Sequence, residues 1–132
     1  MFGKQKQPPI RTLIGEGTVI TGELRFADGL RIDGEVVGDV RAGAGAPGLL
    51  VISATAKVEG AVHADHVIVN GQIHGPVHAG TMLELQPKAR IAGDVHYKTL
   101  EMHQGATISG KMFPADVVLE EKPTLKLAAN NP

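Results

Sequence analysis

The feature that most constrains the fold is a motif that occurs six times between Leu13 and Phe113. Five of the copies begin with two alternating apolar residues, and all six contain a β-branched residue, one further residue, a glycine, one residue and another apolar residue. The glycines follow one another at steps of 16, 22, 15, 18 and 17 residues, and they are Gly22, Gly38, Gly60, Gly75, Gly93 and Gly110. A repeat of about 17 residues that carries three short apolar bursts predicts a solenoid, because one repeat cannot bury its own apolar face.

Two apolar columns flank these glycines. The residues two positions before them are all β-branched, and they are Ile20, Val36, Val58, Ile73, Ile91 and Ile108. The residues two positions after them are all apolar, and they are Leu24, Val40, Val62, Val77, Val95 and Met112. Such residues suit a pleated, buried surface, and alternation with period two places both columns inside. The next residue in five of the copies is basic or histidine and is predicted to face water, and this column is Arg25, Arg41, His63, His78 and His96.

The predicted fold is therefore all-β, a single right-handed parallel β-helix with a triangular section and about six coils. Adjacent coils of such a helix stack about 4.8 Å apart. Left-handed helices built from hexapeptides need a regular 18-residue coil, and the uneven steps favour the right-handed form. Composition agrees, since 42% of the residues are apolar but only one Tyr, three Phe and no Trp are present. A narrow interior uses Val, Ile, Leu and Ala instead.

The β-helix is predicted to span residues 12–113, with a loose tail on each side. Residues 1–11 are basic and interrupted by Pro8 and Pro9, which predicts a disordered tail, and residues 114–132 are expected to form a cap or a second disordered tail. The segment Gly43 to Gly48, GAGAPG, is interpreted as a corner insertion that explains the longest step. No GK[ST] sequence follows it, so a phosphate-binding loop is not expected.

Composition excludes several functional classes. There is no cysteine and no run of 18 apolar residues, so neither a disulfide framework nor a transmembrane helix is expected. The net charge of −1 gives no general attraction to nucleic acid.

No catalytic motif stands out, and no catalytic, cofactor-binding or metal-binding residue is assigned. HExxH and G-x-S-x-G are missing, and the chain has only two serines, Ser53 and Ser109. Imidazoles one coil apart, such as His63, His78 and His96, can share a metal ion. Arginines occupy the same column in the first two coils, however, which favours a solvated polar ladder. An enzyme is therefore not expected.

The two terminal coils of the predicted solenoid favour self-association. Each lacks one neighbour, so it leaves strand edges and apolar side chains open. The apolar residues assigned to the ends are Leu13, Ile20, Leu24, Phe26, Leu100, Met102, Ile108, Met112 and Phe113. End-to-end contact would cover both ends, and a contact whose symmetry does not close produces a filament.

The N-terminal tail provides a candidate membrane contact. Met1 and Phe2 can insert into a headgroup layer, while Lys4 and Lys6 contact anionic lipid. One aromatic ring and two charges bind weakly, so this contact requires many copies acting together.

The repeat pattern resembles that of a known family, the bactofilins. The resemblance lies in segments such as Ile20-Thr21-Gly22-Glu23-Leu24, Val58-Glu59-Gly60-Ala61-Val62 and Ile91-Ala92-Gly93-Asp94-Val95, and it extends roughly from Leu13 to Phe113. The start Met1, Phe2 and Lys4 and the proline-containing tails are also similar. The resemblance implies a bacterial cytoskeletal protein with a right-handed triangular β-helix, which polymerises without nucleotide through like ends into nonpolar filaments. It further implies a cytoplasmic protein at the inner membrane, held there by the N-terminal tail, that serves as a scaffold for cell-wall enzymes or for shape and polarity factors.

Two alternatives remain open. One is a hexapeptide-repeat-like trimeric enzyme, an acyltransferase or a metal-dependent enzyme with histidines at the subunit interface. The other is a capped β-solenoid binding module, for which the outward His/Arg column would be the partner surface.

Overall fold

The computed structural model describes residues 8–43 and 48–115, and within those ranges the chain forms β-strands and no helix. In chain order the strands are β1 (Ile10–Ile14), β2 (Val19–Thr21), β3 (Leu24–Phe26), β4 (Gly29–Ile32), β5 (Glu35–Val37), β6 (Val40–Ala42), β7 (Leu49–Ile52), β8 (Lys57–Glu59), β9 (Val62–Val69), β10 (Gln72–His74), β11 (Val77–Leu85), β12 (Arg90–Ala92), β13 (Val95–Tyr97), β14 (Thr99–Met102), β15 (Thr107–Ser109) and β16 (Met112–Pro114). The predicted tails, except for Pro8 to Arg11 and for Pro114 and Ala115, lie outside the described residues, as does the centre of the Gly43 to Gly48 loop.

The strands stack in three columns, which we call the first, second and third faces. The first face contains β1, β4, β7, the second half of β9, the second half of β11, and β14. The second face contains β2, β5, β8, β10, β12 and β15. The third face contains β3, β6, the first half of β9, the first half of β11, β13 and β16. All of these pairs are parallel, so the chain is a parallel β-solenoid of six coils.

This arrangement confirms the predicted all-β solenoid. Coils 1 to 6 comprise residues 10–26, 29–42, 49–64, 66–79, 82–97 and 99–114. The long strands β9 and β11 pass round a corner from the third face to the first, which joins these two faces into one sheet. The right-handed sense stays a prediction.

The strand registers align the columns that the repeats predict. Val58 pairs with Val36 below and Ile73 above, and Val62 pairs with Val40 and Val77. Val58 and Val62 are both fully buried. The interior is built from such aliphatic side chains, and no polar or charged residue is buried within the described ranges. Stacked, β-branched residues fill this narrow space because their side chains pack well on a pleated surface.

The uneven steps between repeats arise at the corners. The turn from the first face to the second takes four residues in coils 1, 3, 5 and 6, but only two in coils 2 and 4, at Asp33-Gly34 and Asn70-Gly71. The turn from the second face to the third always takes two residues. The insertion between β6 and β7 accounts for the longest step. The strands therefore keep their register while the corners absorb differences in length.

The repeated glycines form a ladder at the corner between the second and third faces. Gly60 has a φ of 154°, and a Cβ atom on it would overlap the carbonyl oxygen of Gly38 in the coil below. Gly93 stands in the same relation to Gly75. Glycine is required here because the backbones of successive coils approach too closely to admit a side chain.

Carboxylates bind the amide groups next to this ladder. Asp39 Oδ1 accepts a hydrogen bond of 2.9 Å from the N–H of Ala61, and Asp94 Oδ1 accepts one of 2.9 Å from the N–H of Lys111. The equivalent residue of coil 4 is Pro76, which has no N–H to satisfy. Two N–H groups of this corner thus bind a carboxylate, and in coil 4 the proline has no N–H that needs one.

Replacing Gly60 with alanine should destabilise the solenoid by at least 1–2 kcal/mol, the approximate cost of an unfavourable backbone conformation, because the new Cβ must also push against Gly38. The measurement is urea unfolding followed by circular dichroism. Gly15→Ala is the matched control, since a Cβ on Gly15 meets no atom within 4 Å. Equal stabilities for the two variants would show that the glycine ladder is not a packing requirement.

Candidate functional site

The C-terminal end of the rod exposes residues whose equivalents in the preceding coil are buried. Met102 is 44% exposed although its partner Leu85 is fully buried, and Met112 is 42% exposed although Val95 below it is fully buried. Leu100 and Ile108 continue inward columns in the same way and are partly buried against the core. The inward columns therefore end in an apolar surface that no described coil covers.

The N-terminal end repeats this arrangement with fewer exposed atoms. Ile20 and Leu24 pair with the fully buried Val36 and Val40, and both remain partly buried against the core. Phe26 is only 9% exposed, so its ring is mainly part of the interior.

Leu13, assigned from the sequence to the apolar end of the rod, faces outward on the first face. It pairs with Arg31 in an outward register and is 59% exposed, whereas Ile14 is the buried residue of this strand. Strand alternation causes the difference, because the inward positions of β1 are those of Thr12 and Ile14, in line with Leu30 and Ile32.

Two further apolar residues near the same end are exposed but were not predicted from the sequence. Ile10 is 44% exposed and precedes the first recognised repeat, and Val19 is 59% exposed. Val19 pairs with Glu35 in an outward position of the second face. Alternation with the inward Ile20 was the signal that could have identified it.

Both ends also present open strand edges. Within the described part of the chain, β1, β2 and β3 pair only with the coil above them, and β14, β15 and β16 pair only with the coil below. Their outer N–H and C=O groups thus form a template for strand pairing with another chain.

The outward column of the third face forms a stack of rings. The ring centroids of His63 and His78 are 4.4 Å apart, those of His78 and His96 are 4.4 Å apart, and those of His96 and Phe113 are 4.6 Å apart. The interplanar angles are 5°, 11° and 13°. Phe113, assigned from sequence to the rod end, therefore points outward and closes this stack, with 40% of its surface exposed.

The first two coils continue the same column with arginines. Arg41 aligns with His63, and its guanidinium lies 3.1 Å from Glu23 and 3.8 Å from Asp39. Arg25 also reaches Glu23, at 3.3 Å. A single carboxylate thereby contacts both guanidinium groups.

The surroundings of His63 and His78 favour their neutral forms. Burial lowers the pKa of His63, and the positive charge of Arg41 lowers it further. Burial also lowers the pKa of His78, and proximity to His63 and His96 adds to the effect. Both causes act on the charged form of the ring, which loses hydration and meets like charge.

One group of possible metal ligands occurs in the described residues. Glu84 and Glu101 pair across β11 and β14, and His103 Nε2 lies 3.6 Å from Glu84 and 3.3 Å from Glu101. Glu101 and His103 are exposed and Glu84 is half-buried. The imidazole lies within contact distance of both carboxylates, and exposed acidic groups commonly lie together without a metal ion.

The proposed membrane-contact residues Met1, Phe2, Lys4 and Lys6 lie outside the described residues. Residues 8–43 and 48–115 include no helix with the length and hydrophobicity needed to cross a bilayer.

Comparison with known proteins gives one family. The family model for bactofilin, described as polymer-forming cytoskeletal, matches residues 12–112. Two curated relatives come from Myxococcus xanthus (strain DK1622). Bactofilin BacO is 27% identical over 101 residues, which cover 76% of this chain and 77% of BacO. Bactofilin BacP is 26% identical over 106 residues, which cover 80% of this chain but only 42% of BacP, so the chain spans less than half of that relative. No solved structure matches the chain significantly.

Proposed function

The chain belongs to the bactofilin family of polymer-forming cytoskeletal proteins, and we propose that it polymerises end to end, without nucleotide, through its two terminal coils. The observation that carries the proposal is the contrast between inward residues of the last coil and their buried equivalents one coil below. Met102 and Met112 are about two-fifths exposed, whereas Leu85 and Val95 are fully buried. Another rod placed against this end would complete the interior.

The driving force would be burial of apolar surface together with strand pairing. Full burial of an aliphatic side chain stabilises by about 1.5–3 kcal/mol, so covering the exposed fraction of each methionine contributes about 1 kcal/mol. Partly buried Leu100 and Ile108 add smaller amounts. The backbone groups of β14, β15 and β16 would pair at the same time, which adds direction to the contact.

Contacts between like ends would make the filament nonpolar. A like-end contact is isologous, so the same patch must fit a rotated copy of itself. Methionine side chains adapt their shape to such a surface, and Met102 and Met112 both belong to the C-terminal patch. Ile20 and Leu24 would serve the N-terminal contact. A filament with two alternating like-end contacts has no polarity.

Membrane association and scaffolding complete the proposal. Phe2, Lys4 and Lys6 would hold the filament to the inner face of the cytoplasmic membrane, and polymerisation would multiply this weak contact along the filament. Cell-wall enzymes or polarity factors are the proposed clients, in a cytoskeletal and not an enzymatic role.

Replacing Ile108 with arginine should shorten the polymers sharply, because the contact would then have to bury an unpaired charge. Light scattering and electron microscopy measure polymer length, and circular dichroism checks that the solenoid still folds. The matched control is Thr107→Arg, which places the same charge one residue away at an exposed position. Leu24→Arg tests the other end. Long filaments from Ile108→Arg would contradict a contact through the C-terminal coil.

Deleting residues 1–7 should leave polymerisation intact and reduce binding to anionic vesicles. The reason is that this deletion removes the apolar and basic groups of the tail but no described strand. Sedimentation with vesicles that contain anionic lipid measures binding, and neutral vesicles serve as the control. Unchanged sedimentation would assign lipid binding to another part of the chain.

A further inference from the structure

The ring stack on the third face joins four successive coils. His63, His78 and His96 belong to coils 3, 4 and 5, and Phe113 belongs to coil 6. We call the three stacked imidazoles the histidine ladder. We propose that the histidine ladder is a proton-sensitive clamp, which stabilises coils 3 to 6 while its rings are neutral and loosens them when the medium is acidified.

The geometry explains why protons matter. Neutral imidazoles stack favourably at a centroid distance of 4.4 Å. Protonated rings at the same spacing place like charges directly above one another on half-buried side chains, where solvent screens them less than at an open surface. The parallel register fixes this spacing, so the rings cannot separate without disturbing the strands that carry them.

Charged residues next to the histidine ladder add to the repulsion of protonated rings at the end where His63 lies. Arg41 on β6 faces His63, and the carboxylates of Asp39 and Glu23 only partly offset it because both already bind Arg41. On the other side Phe113 on β16 is uncharged. The neighbouring positive charge therefore acts mainly on His63 and His78. Asp65, further along β9, has its carboxylate beside Gly80 at the following corner.

The direction of the pH dependence follows from the two lowered pKa values. His63 and His78 have a lower pKa in the folded chain than an unfolded histidine has, because of burial first and neighbouring positive charge second. Their neutral forms therefore favour folding. This contribution is complete above the unfolded pKa of about 6.5, and it is lost as the pH falls below that value towards the folded pKa.

Thermal unfolding of the full chain at pH 7.5 and pH 5.0 tests the proposal. Carboxylates stay largely ionised over this range, since their ordinary pKa values are about 3.9 and 4.3. We expect the midpoint of the native chain to fall by about 4 °C or more on acidification. A variant with His63→Phe, His78→Phe and His96→Phe should lose most of that fall, because phenylalanine keeps the stack, as Phe113 does, without binding a proton.

His74→Gln is the matched control, because His74 is exposed on the second face, outside the ladder. It should show the same fall as the native chain. Hydrogen exchange adds a local readout: acidification should speed exchange, corrected for intrinsic rates, in β9, β11 and β13 more than in β2 and β5. If the triple variant does not fold, His78→Phe alone should halve the fall of the unfolding midpoint on acidification. The proposal would be overturned if the unfolding midpoint of the phenylalanine variants still fell on acidification, or if that of the native chain did not fall.

Discussion

Each coil of this solenoid is held mainly by the coils on either side of it. A single coil is too thin to bury its own side chains, and ordering each of its residues costs about 1–2 kcal/mol. Stacking compensates by aligning equivalent residues, as where Val58 lies between Val36 and Ile73. Every inner coil has two such neighbours within the described chain, whereas coils 1 and 6 have one. The same constraint that stabilises the middle of the rod therefore leaves strand edges and apolar side chains uncovered at its ends.

Alignment of equivalent residues also governs the outer surface. When like residues stack one coil apart, a charged group needs a partner of opposite charge, whereas a titratable group can avoid repulsion by being neutral. Arg25 and Arg41 share the carboxylate of Glu23, whereas the rings of His63, His78 and His96 stack directly on one another. At the tightest corner no side chain fits, so the column consists of glycines. The outward columns of a solenoid are thus limited to residues that can lie next to their own kind in successive coils. A column of imidazoles meets this condition best when the rings are neutral, so its stability depends on pH.

The sequence was sufficient to predict the columns because a repeated pattern reports directly on stacked positions. The inward series through Val58 and Val62 and the outward series through His63 were all confirmed by the strand registers. Corner lengths were not predictable in the same way, because a turn of two residues and one of four join the same pair of faces. The first coil was harder to interpret because only one neighbour constrains it, and the repeat pattern did not show that Leu13 faces outward. Phe113 was assigned to the polymer end, and its apolar character hid its place in the outward histidine column.

Negative-stain electron microscopy of the purified, untagged chain, in EDTA and without nucleotide, tests the central claim most directly. Open apolar ends and unpaired strand edges predict long filaments a few nanometres wide under these conditions, with neither a metal ion nor a nucleotide required. Discrete monomers would contradict the account and point to ends capped by other parts of the chain. Discrete trimers would contradict it too, and would return attention to a metal-dependent assembly through the histidines.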